Sequence, residues 1–553
     1  MEQNQDEFDQ KRFLLAMIIS GLILVMWNVF FAPETPPPAV DGDQVASTTG
    51  EAPATTGATA KDVPVKLADA PPPAVDLPVL THELRTEHFR IVTSTAGAQM
   101  VEAEIYEPEQ YNVEGDLLAD FPEDSPHFPY GLSFTQNSIA LPRGLVWAFV
   151  PDVSKKEGGA YKTVTYRHVD PAGRYQIDKT YSVDPENLYQ LGLDVVVTNR
   201  GTNPLTDSMA LDLTLFKSAD DESSFLDMRP EEGEGICKTS DDIERELLSG
   251  IESPLTFDEF PVRWGAVDKR YFLFAALTGT DAQKCTIEKI EESILRTRLV
   301  QPKFSIGPGE SYRMGYELFV GPKDFDVLES MGSNMEAAVD YGFWTFLARP
   351  FRWALVAFHG WVGNWGLAII LLTIVIRLLM WPINHKVYVN SERMKDIQPK
   401  LKVLQEKYAE DKQRLTEETM KLWKENKVSP LGCLPMVLQF PILLALYYMI
   451  LNSVELYQAD FALWYTDLSA PDPYFVLPLL MGAVMFGQQS MMTVETPNPQ
   501  MATMMKFMPI MFAGFMLFLP SGVVLYYFVS LIIGLIQQIW IKRSFAAKRA
   551  QTA

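Results

Sequence analysis

Histidine and cysteine are scarce in this chain, at six and three residues of 553. His82, His88, His127 and His168 show no metal-ligand spacing, and His359 and His385 stand only at the edges of apolar segments. The sequence therefore offers no metal centre, no catalytic residue and no cofactor site, and an intramembrane hydrolase would lack its nucleophile and base. Cys433 is isolated, and the separation of Cys237 from Cys285 leaves open whether those two pair. Basic charge is also short where the chain is most polar. Between Ala32 and Thr345 there are 26 Lys and Arg against 53 Asp and Glu, and the rest of the chain holds 21 against 17. An acidic region of that size excludes DNA as a partner, because phosphate binding needs clustered cations.

Long apolar runs are abundant. Phe13–Phe31, Trp361–Trp381, Leu431–Leu451, Tyr474–Gln488, Phe507–Leu519 and Val523–Ile541 are six candidate spans, the fourth and fifth of them short against the ~20 residues of a crossing helix. Lys and Arg near the span ends set the orientation. Lys11 and Arg12 precede the first span, eleven Lys and Arg lie between the second and third, and Lys542, Arg543, Lys548 and Arg549 follow the sixth. The connection from Asn452 to Pro473 has none, but carries Glu455, Asp460, Asp467 and Asp472. The expectation is a multi-pass protein of the bilayer with both termini cytoplasmic and the acidic region exterior. Within the second span, GNWGLAIILLTIVIRLLM, the one charge is Arg377, and an ionisable residue at that depth marks a functional site. A transporter reading would need inverted repeats, and the two halves of the chain share none.

The organisation follows: a cytoplasmic N-terminus (1–12), an uncleaved anchor (13–31) and a Pro/Ala/Thr-rich disordered linker (32–79). Residues 80–334 hold period-two runs such as RYQIDKTYSV and LGLDVVVTN, which predict a large exterior antiparallel β-sandwich acting as a scaffold. Residues 335–360, with Phe343, Trp344, Phe346, Phe351 and Trp353 around Arg349 and Arg352, predict a helix lying in the interface. The second span (361–381) leads into a charged stretch, 382–430. There Met394, Ile397, Leu401, Leu404 and Tyr408 form a narrow seam, and AEDK breaks it, which predicts a cytoplasmic helical hairpin. The third span (431–451), an outer loop (452–473), the fourth span (474–490), an inner loop (491–504), the fifth (505–519) and sixth (523–541) spans and a basic tail (542–553) complete the chain.

The strings NWGLAIILLTIVIRLLMWP, MKDIQPKLKVLQEKYAEDKQRLTEETMKLWKENKVSPLGCLPMVLQFPILLALYYM and FMPIMFAGFMLFLPSGVVLYYFVS resemble the YidC membrane protein insertase family, in its Gram-negative form with a large periplasmic domain. The resemblance implies a five-helix insertase core of the bacterial inner membrane and an exterior β-supersandwich similar in fold to sugar mutarotases. It further implies an insertase and foldase without covalent chemistry, whose partners are nascent membrane proteins, the Sec translocon, the lipid bilayer and the ribosome, the last through the hairpin and basic tail. A hydrophilic groove would carry Arg377, Thr373 and Gln439, and a slide for the departing helix Phe440, Pro441, Phe512 and Phe515. Leu531 and Gly534 fall where some relatives carry polar residues, which implies a drier wall on the last span.

Overall fold

A computed structural model describes residues 77–106, 116–122, 125–157, 159–184, 187–217, 233–240, 242–258, 261–408, 411–428, 434–491, 507 and 509–552. The expected anchor, nearly all of the linker and most of the loop 491–504 lie outside these.

From Thr81 to Pro322 the described residues form a β domain, a 13-stranded sheet, a 5-stranded sheet and a two-stranded ribbon. Pairing is antiparallel apart from a parallel contact between Leu84 and Tyr161. The alternation read from sequence appears as alternating burial: Gln190–Asn199 buries every second side chain, Leu191, Leu193, Val195 and Val197 among them. Sheets normally stack ~10 Å apart, yet Cys237 on the large sheet and Cys285 on the smaller one have Cα atoms 5.9 Å apart and form a disulfide. Gly235 permits this approach, because a Cβ there would meet the Ile287 side chain at 2.5 Å. The pairing left open by sequence is thus settled by the convergence of two sheets. Closing a loop with a separation of 48 residues restricts the unfolded chain by about 4 kcal/mol in the chain-entropy model.

The domain also buries a lysine completely. Lys179 donates to the carbonyl oxygens of Ala98 (2.8 Å) and Tyr130 (2.6 Å), and burial pushes its pKa down to about 7.

At its exit the domain is joined firmly to the helices. The last strand, Ser311–Pro322, runs into Lys323, whose ammonium pairs with buried Asp268 at 2.6 Å, and then into a short helix, Phe325–Ser330, capped by Asp324. Two 3-10 turns precede a single helix, Thr345–Val362, so the interfacial helix starts ten residues later than the span read from sequence. Its outward face carries Phe346, Trp353 and Trp361, all largely exposed, and its inner face buries Ala348, Arg352 and Leu355. Arg352 is therefore turned inward, whereas Arg349 is exposed and lies over the Phe325 ring at 5.3 Å. The Arg352 guanidinium pairs with Glu455 at 2.5 Å and Asp326 at 3.3 Å, and also lies over the Phe325 ring. Burial lifts the Glu455 carboxyl above its usual range despite Arg352. The same burial pulls on Arg352, but Glu455 and Asp326 hold its pKa well up. Tyr457, two residues past Glu455, stacks against Tyr271 of the β domain at 4.4 Å.

The second span and the first arm of the hairpin form one helix, Trp365–Lys407, of 43 residues. It is capped by the Asn364 side chain and passes through Pro382 and Pro399 without ending. At 1.5 Å per residue it extends about 64 Å, more than twice the ~30 Å of hydrocarbon. The return arm is Lys412–Glu425, with the break at the expected AEDK. The other core helices are Leu434–Asn452, Val476–Met491, Pro509–Phe518 and Ser521–Thr552. The last continues through the basic tail, which contains no proline or glycine to stop it. By length and composition, two of the described helices suffice to cross a membrane, and the others are shorter apolar helices. Such short helices favour local thinning of the bilayer.

Two predictions arise from these buried charges. Between pH about 7 and the ordinary lysine value of ~10.4 the unfolded chain binds a proton that folded Lys179 does not, so stability rises with pH there, by up to about 1.4 kcal/mol per unit. Urea midpoints of the β domain measured from pH 7.5 to 9 should show that slope, and Lys179→Met should remove it. Arg352→Met leaves Glu455 buried without its cation and should cost about 3–5 kcal/mol, whereas adding Glu455→Gln should restore part of it. Thermal melts of the two variants in detergent check this, and a double variant no better than the single would count against the pair.

Candidate substrate groove in the helical core

On the long helix, Arg377, Met380, Asn384 and Tyr388 recur every three to four residues and so share one face. They line a cavity of about 250 Å³ together with Gln439, Phe440 and Leu443 from Leu434–Asn452, Phe512 from Pro509–Phe518 and Tyr527 from the last helix. That is far above the ~10–15 Å³ that one water molecule requires, and the lining is polar enough to hold several.

Arg377 enters this cavity from the apolar part of its helix, twelve residues after Trp365, or about 18 Å along the axis. Its Nε donates to the Ser530 hydroxyl at 2.5 Å. Among the described residues it has no ion-pair partner. Among the described residues its hydrogen-bond partner is thus a neutral hydroxyl, which leaves the other guanidinium donors able to meet an anion.

The expected site residues divide into two groups. Arg377, Gln439, Phe440 and Phe512 converge on the cavity. Gln439 Nε2 donates to the Tyr526 hydroxyl at 2.7 Å, Phe440 is half exposed, and the Phe512 ring lies 5.2 Å from that of Tyr527. Thr373, Pro441 and Phe515 do not line it. Thr373 is fully buried and its hydroxyl donates to the Ile369 carbonyl of its own helix at 2.7 Å, so it is satisfied before reaching the groove. Phe515 packs against the apolar core just before the turn Met516–Phe518.

Asn384, Tyr388, Tyr526, Tyr527 and Ser530 were missed by the sequence reading. The signal for Asn384 and Tyr388 was their spacing from Arg377, hidden by the assignment of everything after Pro382 to a separate hairpin. The last helix also departs from the expected drier wall. Leu531 is buried, but Ser530, Gly534 and Gln538 form a small and polar stripe, and a Cβ at Gly534 would come within 2.9 Å of the Tyr388 hydroxyl.

An acidic β domain joined to a bundle of apolar helices, with a cavity of about 250 Å³ beside Arg377 inside the bundle, has the organisation of a polytopic membrane protein with a large extramembrane domain. Comparison with known proteins supplies the family. A model described as the YidC periplasmic domain matches residues 81–354, and one described as the 60Kd inner membrane protein matches residues 357–549. The membrane protein insertase YidC of Syntrophus aciditrophicus is 33% identical over 96% of this chain and 99% of its own length, and that of Pelobacter propionicus 31% over 97% and 99%. This chain belongs to the YidC membrane protein insertase family, whose members are inner-membrane proteins with a periplasmic domain. Among solved structures, an active YidC insertase covers 83% of this chain and 93% of its own at 16% identity and a TM-score of 0.36. A galactose mutarotase-like protein from Lactobacillus casei covers 44% of this chain and all of its own at 8% identity and a TM-score of 0.29.

Proposed function

We propose that this chain inserts newly made inner-membrane proteins by admitting their polar segments to the Arg377 cavity while their apolar helices leave along Phe440 and Phe512 into lipid. The observation that carries this is an arginine without a carboxylate partner among the described residues, facing a cavity of about 250 Å³ among apolar helices. A charged group at a helix centre costs roughly 2.5 to 3.5 kcal/mol on insertion scales. A wet cavity partway through the bilayer shortens the dry path, and burial of the client's own apolar helix supplies the drive. Nothing in this sequence of events makes or breaks a covalent bond, so the chain acts as an insertase and chaperone rather than an enzyme.

Both termini and the hairpin lie in the cytoplasm on this reading, with the β domain periplasmic, in accord with the cation-rich hairpin and tail. The hairpin and the basic tail receive ribosome-bound chains, and the Sec translocon works beside the groove for part of the client set. The Thr345–Val362 helix rests its aromatic face on the outer surface of the bilayer.

Charge reversal tests the central claim. With Arg377→Glu, a client bearing an acidic translocated tail should insert about tenfold less well, while a matched neutral-tailed client changes little, because a like charge now faces the tail in a poorly screened site. Arg377→Lys should be intermediate, since it keeps the charge and loses the planar fork. The inserted fraction of each client in liposomes is the measurement. Equal defects for both clients would remove the charge-pairing role.

A further inference from the structure

Gly534 stands opposite Arg377 on the last helix, and the space where its side chain would be is ringed by donors. Measured from the position of a Cβ at Gly534, the Tyr388 hydroxyl lies at 2.9 Å, Arg377 Nη1 at 3.7 Å and Gln488 Nε2 at 3.9 Å. Three helices contribute these groups: the long helix, Val476–Met491 and, through the glycine, the last helix. One turn before Gly534, fully buried Ser530 accepts from Arg377 Nε and so turns the guanidinium until its terminal nitrogens are the free edge. The Gln488 amide stands beside the Tyr388 hydroxyl at the Gly534 position. When the amide donates to that hydroxyl, the hydroxyl proton is left for a third group. Arg377 and Tyr388 both line the cavity.

We propose that Arg377 and Tyr388 form a seat for one side-chain carboxylate of a client, and that Gly534 is the specificity-determining position because its missing side chain lets the Tyr388 hydroxyl stand beside the guanidinium. The proposal rests on the groove reading given above and deepens it. A carboxylate accepts at two oxygens, so the guanidinium edge and the phenol hydroxyl together satisfy it, whereas the neutral amide of Gln brings donors of its own to a site already composed of donors. Any side chain at Gly534 would push the Tyr388 hydroxyl away and leave the arginine alone. Ser530 is a positioning residue, touching the guanidinium and not the client.

The test uses the full chain reconstituted in liposomes and two single-span clients identical except for Glu or Gln at one tail position, read as the ratio of their protease-protected fractions. Tyr388→Phe should lower the Glu-to-Gln ratio about tenfold or more, in keeping with loss of one hydrogen bond to a charged group. Gly534→Ala should lower it by a similar factor, and the double variant should fall no further, because both changes remove the same hydroxyl. Arg377→Gln sets the floor of the ratio. If Arg377→Gln lowers the ratio and Tyr388→Phe does not, the seat is overturned and the groove reading stands. If Arg377→Gln leaves the ratio at the wild-type value, both fall. A double variant lower than either single one would overturn the role given to Gly534. Should Gly534→Ala impair assembly, both clients would be lost together, and the Tyr388→Phe ratio alone decides.

Discussion

The buried contact between Arg352 and Glu455 sits where three parts of the chain meet. Arg352 belongs to the helix Thr345–Val362, Glu455 to the loop after Leu434–Asn452, and Asp324 and Asp326, which also face the guanidinium, to the end of the β domain. A buried ion pair of this kind is an uncertain source of stability, but it is intolerant of separation, because either partner left alone is a charge out of water. Its effect is to fix geometry. With Tyr271 stacked on Tyr457 and Asn452 donating to the Asp340 carbonyl, the outer ends of the helices are held to one another and to the β domain.

A held outer end makes an open inner half affordable. On the outer side, residues such as Val454, Leu456, Ser469 and Asp472 are buried, and the loop packs onto the helices. The cavity around Arg377 lies further in, where the neighbouring helices Val476–Met491 and Pro509–Phe518 are short. The polar groups there are only partly paired with one another. Ser530 orients Arg377, Gln439 meets Tyr526, and the remaining donors face the void.

Much of this was legible in the sequence, and the failures have physical causes. Period-two runs such as LGLDVVVTN and the sign of the loop charges carry their own meaning, and a lone arginine in an apolar span is too costly to be incidental. The inward turn of Arg352 was not legible, because an arginine among aromatics looks the same in sequence whether it snorkels to headgroups or turns inward. Its partner is more than a hundred residues away. The family resemblance placed Thr373, one turn before Arg377, in the groove, yet in this helix its short hydroxyl reaches the backbone carbonyl of Ile369 first. Tyr388 was lost to Pro382, which reads as a break but is carried within a continuous helix. Gly534 has no side chain to announce itself, and only the positions of Tyr388 and Arg377 give it meaning.

The continuity of Trp365–Lys407 has a mechanical consequence. One continuous helix carries the Arg377 face of the cavity and the seam of the charged arm, where Val403 and Leu404 border a hollow against Leu422 of the return helix. From Arg377 to Lys407 is about 45 Å, so a tilt of about 5° at the groove corresponds to roughly 4 Å at the tip of the arm. The two ends are thus linked as the ends of a lever. A displacement at the tip is returned near Arg377 as a smaller one, and a displacement near Arg377 emerges at the tip as a larger one.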